Sequence, residues 1–350
     1  MTIFVLMTAM PPTVGHGTLI QFASMYGSAT NQEVKVIVCT QPHEPFSGTR
    51  FNSIQKFVRD NGMYNVRVEW LNKQIEQNPA AGGFWKMWSD ILTDFGAVAG
   101  DTYIASEIYG AAVASLMNGK YMPYDPDREL NPSKATKVRK DLEIYWDDML
   151  PQFSWNLTGT VTIFGAESTG KTTLAKKLSR TVDSHFVFEY ARPYLENTVN
   201  EITVSSMTDI WKGQLAVQAA AKWWKPEPWI IQDTDLYSTV GYWEFPHWQE
   251  TLGEPPSGLI RDAKMNKSDL YLITKSNIPF EPDPLRYGGD VREGSDEYWI
   301  NIAEKYDLNY KVLESDDPNE RHDEAIDAME EFWYARPEVK ALVEYDREGF

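Results

Sequence analysis

The most specific chemical signal in the chain is a glycine-rich stretch that matches the phosphate-loop pattern GxxxxGK[ST] in full. It reads Gly165-Ala166-Glu167-Ser168-Thr169-Gly170-Lys171-Thr172. Glycines let backbone N–H groups wrap around a phosphate, and the positive N-terminus of the following helix adds to the attraction. Lys171 is expected to reach the β and γ phosphates, and the Thr172 hydroxyl to bind Mg²⁺. The alternative is a glycine-containing turn, but an apolar run precedes the stretch and a helical pattern follows it.

Two carboxylates, Asp233 and Asp235, follow the apolar run that starts at Trp229. In phosphate-loop proteins an Asp at the end of a second strand holds the magnesium shell. One Asp would therefore organise Mg²⁺ while the other accepts a proton from an acceptor hydroxyl, and the sequence does not say which does which. The alternative for Asp235 is to cap the next helix.

Further charged residues could complete this site. Glu189 and Arg192 end another strand and could reach the acceptor, or form a surface ion pair. Arg286 and Arg292 lie in a segment rich in Pro and Gly, residues 279–294. So long an irregular connection indicates a lid, whose arginines would stabilise charge on a transferring phosphoryl group; a solvated loop is the alternative.

A weaker phosphate-binding signal lies near the N-terminus. The apolar run 3–8 leads through a proline-containing loop to Thr13-Val14-Gly15-His16, where a helix is expected to begin. A helix N-terminus can hold an anion, and His16 in its first turn can donate to a phosphate oxygen. Further on, Ser133–Arg139 brings hydroxyls and basic residues to a helix start, which suits β and γ phosphates; a Ser cap with a solvated basic face is the alternative.

These residues must be positioned by alternating strands and helices, the pattern of parallel α/β units. Strands are expected at 3–8, 34–39, 66–70 and 102–106 in the first half, and at 159–164, 186–189, 229–232, 270–274 and 310–313 in the second. Residues 151–158 have the character of a junction. We therefore expect two α/β domains with parallel sheets, residues 1–150 and 151–350.

Composition excludes several classes of protein. The 33 Lys and Arg against 51 Asp and Glu give a net charge of −18, which opposes general nucleic-acid binding. One cysteine, Cys39, allows no internal disulfide and no multi-thiolate zinc site. The apolar runs are too short for a membrane helix, and the N-terminus lacks a signal-peptide pattern. We expect a cytoplasmic protein with neither nucleic acid nor a membrane as partner; the oligomeric state, a homo-oligomer included, stays open.

Taken together, these motifs resemble the bifunctional nicotinamide mononucleotide adenylyltransferase/ribosylnicotinamide kinase (NadR-like) family. Thr13–His16 resembles its (H/T)xGH loop, and Ser133–Arg139 resembles its ISxTxxR motif at Thr136 and Arg139. The departures are Thr13 in place of the first histidine, Met7 in place of a strand-end glycine, and the incomplete second motif. Other segments in the family's order are Trp85–Trp88, Gly165–Thr173, Glu189–Arg192, Asp233–Asp235 and Asp283–Arg286.

The resemblance implies a Rossmann-like nucleotidyltransferase domain over 1–150 and a P-loop kinase domain over 151–350. It implies ATP and Mg²⁺, and small-molecule substrates: nicotinamide riboside phosphorylated to the mononucleotide, then adenylylated to NAD with release of pyrophosphate. The DNA-binding segment that some members carry in front is expected to be absent.

The resemblance also implies roles for individual residues. In the first domain, Thr13 and His16 would stabilise transition-state oxygens, Thr136 and Arg139 would hold the β and γ phosphates, and Trp85 or Trp88 would stack on nicotinamide, with core packing as the alternative. In the second, the binding residues include Gly165, Ser168, Thr169, Gly170, Thr172 and Thr173. The rivals are a kinase whose front domain only binds a nucleotide, and a regulatory protein that senses ATP or NAD.

Overall fold

The computed structural model describes residues 1–198, 201–281 and 294–345. The chain forms two compact units, one of Met1–Leu157 with the residues from Pro337 onward, the other of Thr158–Arg336. This division departs from the expected 1–150 and 151–350 at two places. Residues 151–157 stay with the first unit because Phe153 and Leu157 are fully buried. The last helix returns to the first unit, where it packs beside the helix Ala135–Lys140.

The first unit is a five-stranded parallel sheet with order β3-β2-β1-β4-β5. Strand β1 is central, with β2 and β4 on its two sides, and ligands of such sheets bind at the carboxyl ends of the strands where the order reverses. Its elements are β1 Thr2–Met7, α1 Val14–Thr30, β2 Glu33–Thr40, α2 Ser47–Asp60, β3 Val66–Asn72, α3 Phe84–Asp94, β4 Thr102–Ala105, α4 Tyr109–Leu116, β5 Lys120–Pro123, α5 Ala135–Lys140 and α6 Pro151–Ser154.

The second unit is also a five-stranded parallel sheet, with order β10-β9-β6-β8-β7. Here β6 is central, between β8 and β9. The elements are β6 Gly159–Gly165, α7 Lys171–Thr181, β7 His185–Val187, α8 Ala191–Asn197, α9 Val204–Ala221, β8 Trp229–Asp233, α10 Leu236–Glu244, α11 Gln249–Leu252, α12 Ser257–Met265, β9 Leu270–Thr274, α13 Ser295–Lys305, β10 Tyr310–Leu313 and α14 Pro318–Ala335; α15, Pro337–Val343, follows in the first unit.

Helices cover both faces of each sheet, which explains the apolar runs of the central strands. In β1, Ile3, Val5 and Met7 pack into one core while Phe4 and Leu6 pack into another. This alternation follows from the two-residue period of a strand. The expected α/β fold with two parallel sheets is confirmed, and no helix among the described residues is long and apolar enough to cross a membrane.

Candidate nucleotide-binding sites

The glycine-rich loop of the second unit joins the central strand β6 to α7, as the motif requires. Gly165 ends the strand with φ 126°, and a Cβ there would lie 2.8 Å from the carbonyl oxygen of Thr274. Any other residue would collide with β9, so glycine is needed at this point. Gly170, with φ 82°, precedes the first residue of α7, Lys171.

Hydrogen bonds within the loop hold its carbonyl groups. The Thr169 hydroxyl donates to the Ala166 oxygen at 2.9 Å, and Lys171 Nζ donates to the same oxygen at 2.5 Å. Because the ammonium lies inside the loop, it is close to where a phosphate chain would pass. Ser168 accepts a hydrogen bond from the Glu281 amide at 2.9 Å, and Thr173 also lines the cavity described below.

Arg321, which sequence reasoning missed, anchors this loop from α14. Its Nη1 donates to the Thr169 oxygen at 2.8 Å, and its Nε donates to the Ser315 oxygen at 2.8 Å. The side chain is 4% exposed, and burial lowers the pKa of the guanidinium. No local motif marks Arg321, because its partner lies far away in the sequence.

Two carboxylates, Asp233 and Glu189, lie near Lys171. Asp233 ends β8, is 2% exposed, and forms a hydrogen bond with the Thr172 side chain. Burial raises the pKa of Asp233, and the charges of Lys171, Lys176 and Arg192 oppose this shift. Burial and the charge of Asp233 raise the pKa of Glu189 to about 7. The pair therefore holds a proton more readily than free carboxyl groups, which is typical of functional sites.

Asp235 lies apart from this pair, and the structure places it as a helix cap. One oxygen accepts hydrogen bonds from the backbone N–H groups of Tyr237 and Ser238 at 2.9 and 3.2 Å, and the other from the Tyr271 hydroxyl at 2.6 Å. Thr234 between the two aspartates has φ 67°, a strained value for a β-branched residue. Asp235 therefore caps α10, the alternative named from the sequence, and its expected catalytic role stays a prediction.

Helix α9 fixes the turn that carries Glu189. The Tyr190 amide donates to Gln214 Oε1 at 2.9 Å. Gly213 makes room for the Tyr190 ring, since a Cβ there would lie 1.9 Å from a ring carbon. Arg192, one turn further, pairs with Glu196 at 3.3 Å and also lines the cavity. The ion pair named as an alternative for Arg192 is thus present. The positive charge of Arg192 also lowers the pKa values of Glu189 and Asp233.

These groups face a cavity of about 600 Å³. Its polar lining includes the phosphate loop, Glu189 and Arg192. Its apolar and aromatic lining includes Ile202, Met207, Ile210, Tyr242 and Trp248. Ligand sites commonly combine apolar walls with a few polar groups that fix orientation, so this cavity suits a phosphate chain together with a planar, weakly polar acceptor.

The side chains of Asp233 and Thr172 fit a Mg²⁺ ion whose other ligands are water and phosphate oxygens. Within residues 1–198, 201–281 and 294–345 no cluster of three or more His, Cys, Asp or Glu could hold a metal ion. No residue that the structure describes donates to Asp233 Oδ1, although this atom is buried. One carboxylate with a hydroxyl suits Mg²⁺, which keeps waters and takes phosphate oxygens as its other ligands. Arg286, Arg292 and Asp283 lie outside the described residues.

In the first unit, the loop after β1 places Thr13 and His16 at the start of α1. His16 Nδ1 accepts a hydrogen bond from the Thr13 amide at 3.0 Å and lies 2.7 Å from the Thr13 hydroxyl. An amide can only donate, so Nδ1 carries no proton in the neutral ring and Nε2 does. Burial, and then the charge of Arg128, lower the pKa of His16 to about 4. His16 is therefore a neutral donor at pH 7.

Two arginines hold carbonyl groups of this first loop. Arg50 Nη1 donates to the Thr8 oxygen at 3.1 Å, and Arg139 Nη1 donates to the Met10 oxygen. Gly15 lets α1 begin close to another chain segment, because its Cβ position lies 3.3 Å from the Ser133 oxygen. Arg50 is the residue here that sequence reasoning missed, since it belongs to no local motif.

Other residues expected at the first site have different surroundings. Ser133 is buried and donates to the Asp148 oxygen at 3.3 Å, while Thr136 is exposed on α5. The α5 helix begins at Ala135 with Lys134 before it, so Ser133 is not its cap. Trp85 and Trp88 meet the Phe84 ring edge-on at 5.0 and 6.4 Å and pack, partly buried, against the core, while their expected stacking role stays a prediction.

A parallel sheet whose central strand leads through a glycine-rich loop into a helix defines the second unit as a P-loop α/β domain. Consistently, the model of the family described as "AAA domain" matches residues 160–321. Two curated relatives extend the similarity into the first unit, and both are named trifunctional NAD biosynthesis/regulator protein NadR. The Escherichia coli protein is 23% identical over 76% of this chain and 66% of its own length. The Salmonella typhimurium protein is 24% identical over 63% of this chain and 54% of its own length.

Two crystal structures of NadR share the fold of the whole chain. One is a complex with NR, with a TM-score of 0.63, 21% identity, and coverage of 96% of this chain and 97% of that chain. The other is a complex with NAD and AMP-PNP, with a TM-score of 0.64, 21% identity, and coverage of 100% and 98%. The chain is thus similar to NadR proteins, as its motifs predicted, and it spans 66% and 54% of the curated relatives' length.

Proposed function

We propose that the chain is a nucleotide-metabolising enzyme that performs two consecutive steps of NAD salvage. The second unit would phosphorylate nicotinamide riboside on its 5′-hydroxyl, and the first would join the resulting mononucleotide to the adenylyl group of ATP. The observation that carries the proposal is Glu189, which interacts with Asp233 and Lys171 and lines a cavity together with the phosphate loop and with apolar and aromatic side chains. The similarity to NadR proteins supports the choice of substrates.

In the phosphorylation step, Glu189 is the base. The riboside 5′-oxygen attacks the γ-phosphorus, the bond from that phosphorus to the ADP oxygen breaks, and the hydroxyl proton passes to the Glu189 carboxylate. A base with a pKa of about 7 is well matched to neutral pH, because it is partly free of protons yet binds one readily. Lys171 and the loop amides stabilise charge on the phosphate oxygens.

Thr172 and Asp233 would hold Mg²⁺ in this unit. When bound, Mg²⁺ neutralises phosphate charge. The positive charge would also favour the ionised form of Asp233, whose buried carboxyl group otherwise resists ionisation.

In the adenylyl transfer, the mononucleotide phosphate oxygen attacks the α-phosphorus of ATP and pyrophosphate leaves. A phosphate nucleophile is already ionised, so no catalytic base is needed. His16 would act as a neutral donor through Nε2–H toward the oxygens of the transition state, together with the amides at the start of α1. Arg139, whose guanidinium reaches the loop carbonyl of Met10, would also face the phosphate chain.

The second candidate is a riboside kinase whose first unit only binds a nucleotide. The observation in its favour is that α5 has six residues and that Thr136, expected to hold phosphates, is exposed. One observation counts against this candidate. Met7, which stands in place of the family's strand-end glycine, packs into the core on one side of β1, and its side chain is buried there.

Incubation of the purified chain with ATP, Mg²⁺ and one acceptor at a time, followed by mass spectrometry, separates these candidates. The proposal predicts NAD from both the riboside and the mononucleotide. Mononucleotide as the final product from the riboside, with no NAD from either acceptor, would establish the kinase alone. Absence of any product from both acceptors would contradict both candidates.

A further inference from the structure

The last residues that the structure describes return to the first unit and meet the arginines that hold its phosphate loop. They follow the entire second unit in the sequence and include α15 and Tyr345. Tyr345 lies between Arg139 on one side and the ion pair of Glu44 and Arg50 on the other.

On the first side, the Arg139 guanidinium lies 5.4 Å from the centre of the Tyr345 ring. This distance is within the range of a cation–π interaction. The same guanidinium donates to the Met10 oxygen in the loop. The ring therefore lies against a guanidinium that also donates to the loop.

On the second side, the Tyr345 hydroxyl donates to Glu44 Oε1 at 2.8 Å. Glu44 Oε2 accepts from Arg50 Nη2 at 2.6 Å, and the two charged side chains are 3% and 0% exposed. Arg50 Nη1 continues to the Thr8 oxygen at 3.1 Å. Burial alone would raise the pKa of Glu44, but the hydrogen bonds from Arg50 and Tyr345 lower it below its usual value.

We propose that Tyr345 is a positioning residue of the first nucleotide site. Tyr345 holds Arg50 and Arg139 against the loop carbonyls of Thr8 and Met10. The inference rests on the proposed adenylyl transfer of the first unit. Residues that follow the second unit in the sequence would thus complete the nucleotide site of the first unit. The first unit would then require these C-terminal residues for full affinity for ATP.

The geometry indicates that Tyr345 supports nucleotide binding at the first site and does not obstruct it. The Arg139 guanidinium lies over the Tyr345 ring and still donates a hydrogen bond to the Met10 oxygen. The arginines hold loop carbonyl oxygens, and in the proposed transfer the N–H groups at the start of α1 would face the phosphate chain together with Arg139.

Three variants of the full chain test the proposal. Tyr345→Phe keeps the ring over Arg139 and removes the bond to Glu44, Tyr345→Ala removes both, and Lys340→Ala is a matched control on the exposed face of α15. The KM for ATP and kcat are measured for adenylyl transfer to the mononucleotide and, in the same preparation, for riboside phosphorylation. Circular dichroism and thermal unfolding confirm that each variant is folded.

We expect Tyr345→Ala to raise the KM for ATP in adenylyl transfer about tenfold, which corresponds to losing one favourable contact with a charged group, and to change kcat less. Tyr345→Phe should restore part of the loss, and Lys340→Ala should match the wild type. Riboside phosphorylation should stay unchanged in all three. Replacing a residue needed only for folding would instead lower kcat, because a smaller fraction of the protein molecules would be active.

An unchanged KM for ATP and an unchanged kcat of adenylyl transfer in Tyr345→Ala would overturn the positioning role, and so would faster adenylyl transfer. A parallel loss of riboside phosphorylation would also overturn it, because the effect would then not belong to the first unit. If the wild type makes no NAD, the proposed adenylyl transfer fails, and ATP binding to chains that carry Lys171→Ala decides the inference. Equal affinity with and without Tyr345→Ala would then contradict it.

Discussion

The loop after β6 and the loop after β1 both lead from a central parallel strand into a helix, but different side chains hold them. In the second unit, Thr169 and Lys171 of the loop itself donate to Ala166, with Arg321 added from α14. In the first unit, arginines from α2 and α5 hold the loop carbonyls of Thr8 and Met10. A local motif therefore suffices to recognise the second loop, whereas the first depends on residues scattered along the chain.

The two sites also differ in their charge. The second contains two buried carboxyl groups with raised pKa values beside a lysine, and the pKa of Glu189 is about 7. The first contains a histidine whose pKa is lowered to about 4, so its donor stays neutral. This contrast agrees with a step that must remove a hydroxyl proton and a step that needs no base.

The largest effect is expected from Lys171→Ala. Loss of the ammonium at the phosphate loop should lower kcat/KM for riboside phosphorylation by about 10³-fold or more, because charge on the transferring phosphoryl group is no longer stabilised. Adenylyl transfer to the mononucleotide should be unaffected, since Lys171 belongs to the other unit. Coupled assays of ADP and pyrophosphate measure the two rates, and equal losses in both would contradict separate sites.

His16 gives the reciprocal result. His16→Ala should lower adenylyl transfer by about 10²-fold, in the range seen on removing one donor to a transition-state oxygen, and should leave riboside phosphorylation intact. His16→Gln, which can place an N–H near the position of Nε2, should retain more activity than alanine. The rate should show no histidine titration between about pH 5.5 and pH 8. A clear limb near pH 6.5 would contradict the neutral donor.

Glu189→Gln should lower riboside phosphorylation by about 10²-fold through loss of the base. In the wild type, kcat/KM should rise with pH toward a plateau above about pH 7, and the variant should lose this limb. The folded-state pKa of about 7 exceeds the usual value of 4.5, so ionisation of Glu189 reduces the unfolding free energy as the pH rises through this window.

Thermal unfolding provides the control for that variant. Glu189→Gln should be more stable than the wild type at pH 8, and the advantage should shrink toward pH 5, where Glu189 is protonated in the folded protein. A variant that is less stable at both values would argue that Glu189 is structural and not a base.

The smallest effect is expected from Asp235. Asn caps helices as well as Asp, so Asp235→Asn should retain riboside phosphorylation within about threefold. Asp235→Ala should lower the unfolding free energy by about 1–2 kcal/mol through loss of the cap. Asp233→Asn serves as the matched comparison and should abolish most phosphorylation. Equal losses in the two asparagine variants would contradict the division of roles.

Much of the fold could be predicted because most strands are short runs rich in apolar and β-branched residues. The strands Leu270–Thr274 and Tyr310–Leu313 match their predicted bounds. Strand β5, Lys120–Pro123, is short and only half-buried, so its sequence carries no such signal. The return of α15 to the first unit could not be predicted, because it depends on packing between residues far apart in the chain.

The sites show the same limit. The spacing of the phosphate loop predicts Lys171 and Thr172, but Asp233 and Asp235 look alike in sequence. They differ because Thr234 adopts φ 67° between them, a conformation that residue types do not reveal. Arg321 and Tyr345 contact groups more than a hundred residues away in the sequence, and Arg50 contacts the Thr8 carbonyl 42 residues away, so no local pattern identifies them.

The most direct test of two independent sites acting in sequence is a mixing experiment with Lys171→Ala and His16→Ala, each supplied with nicotinamide riboside, ATP and Mg²⁺. Neither variant alone should make NAD, since one lacks the first step and the other lacks the second. The mixture should make NAD, because mononucleotide released by His16→Ala is the acceptor for Lys171→Ala. No NAD from the mixture, although the wild type makes it under the same conditions, would contradict the account.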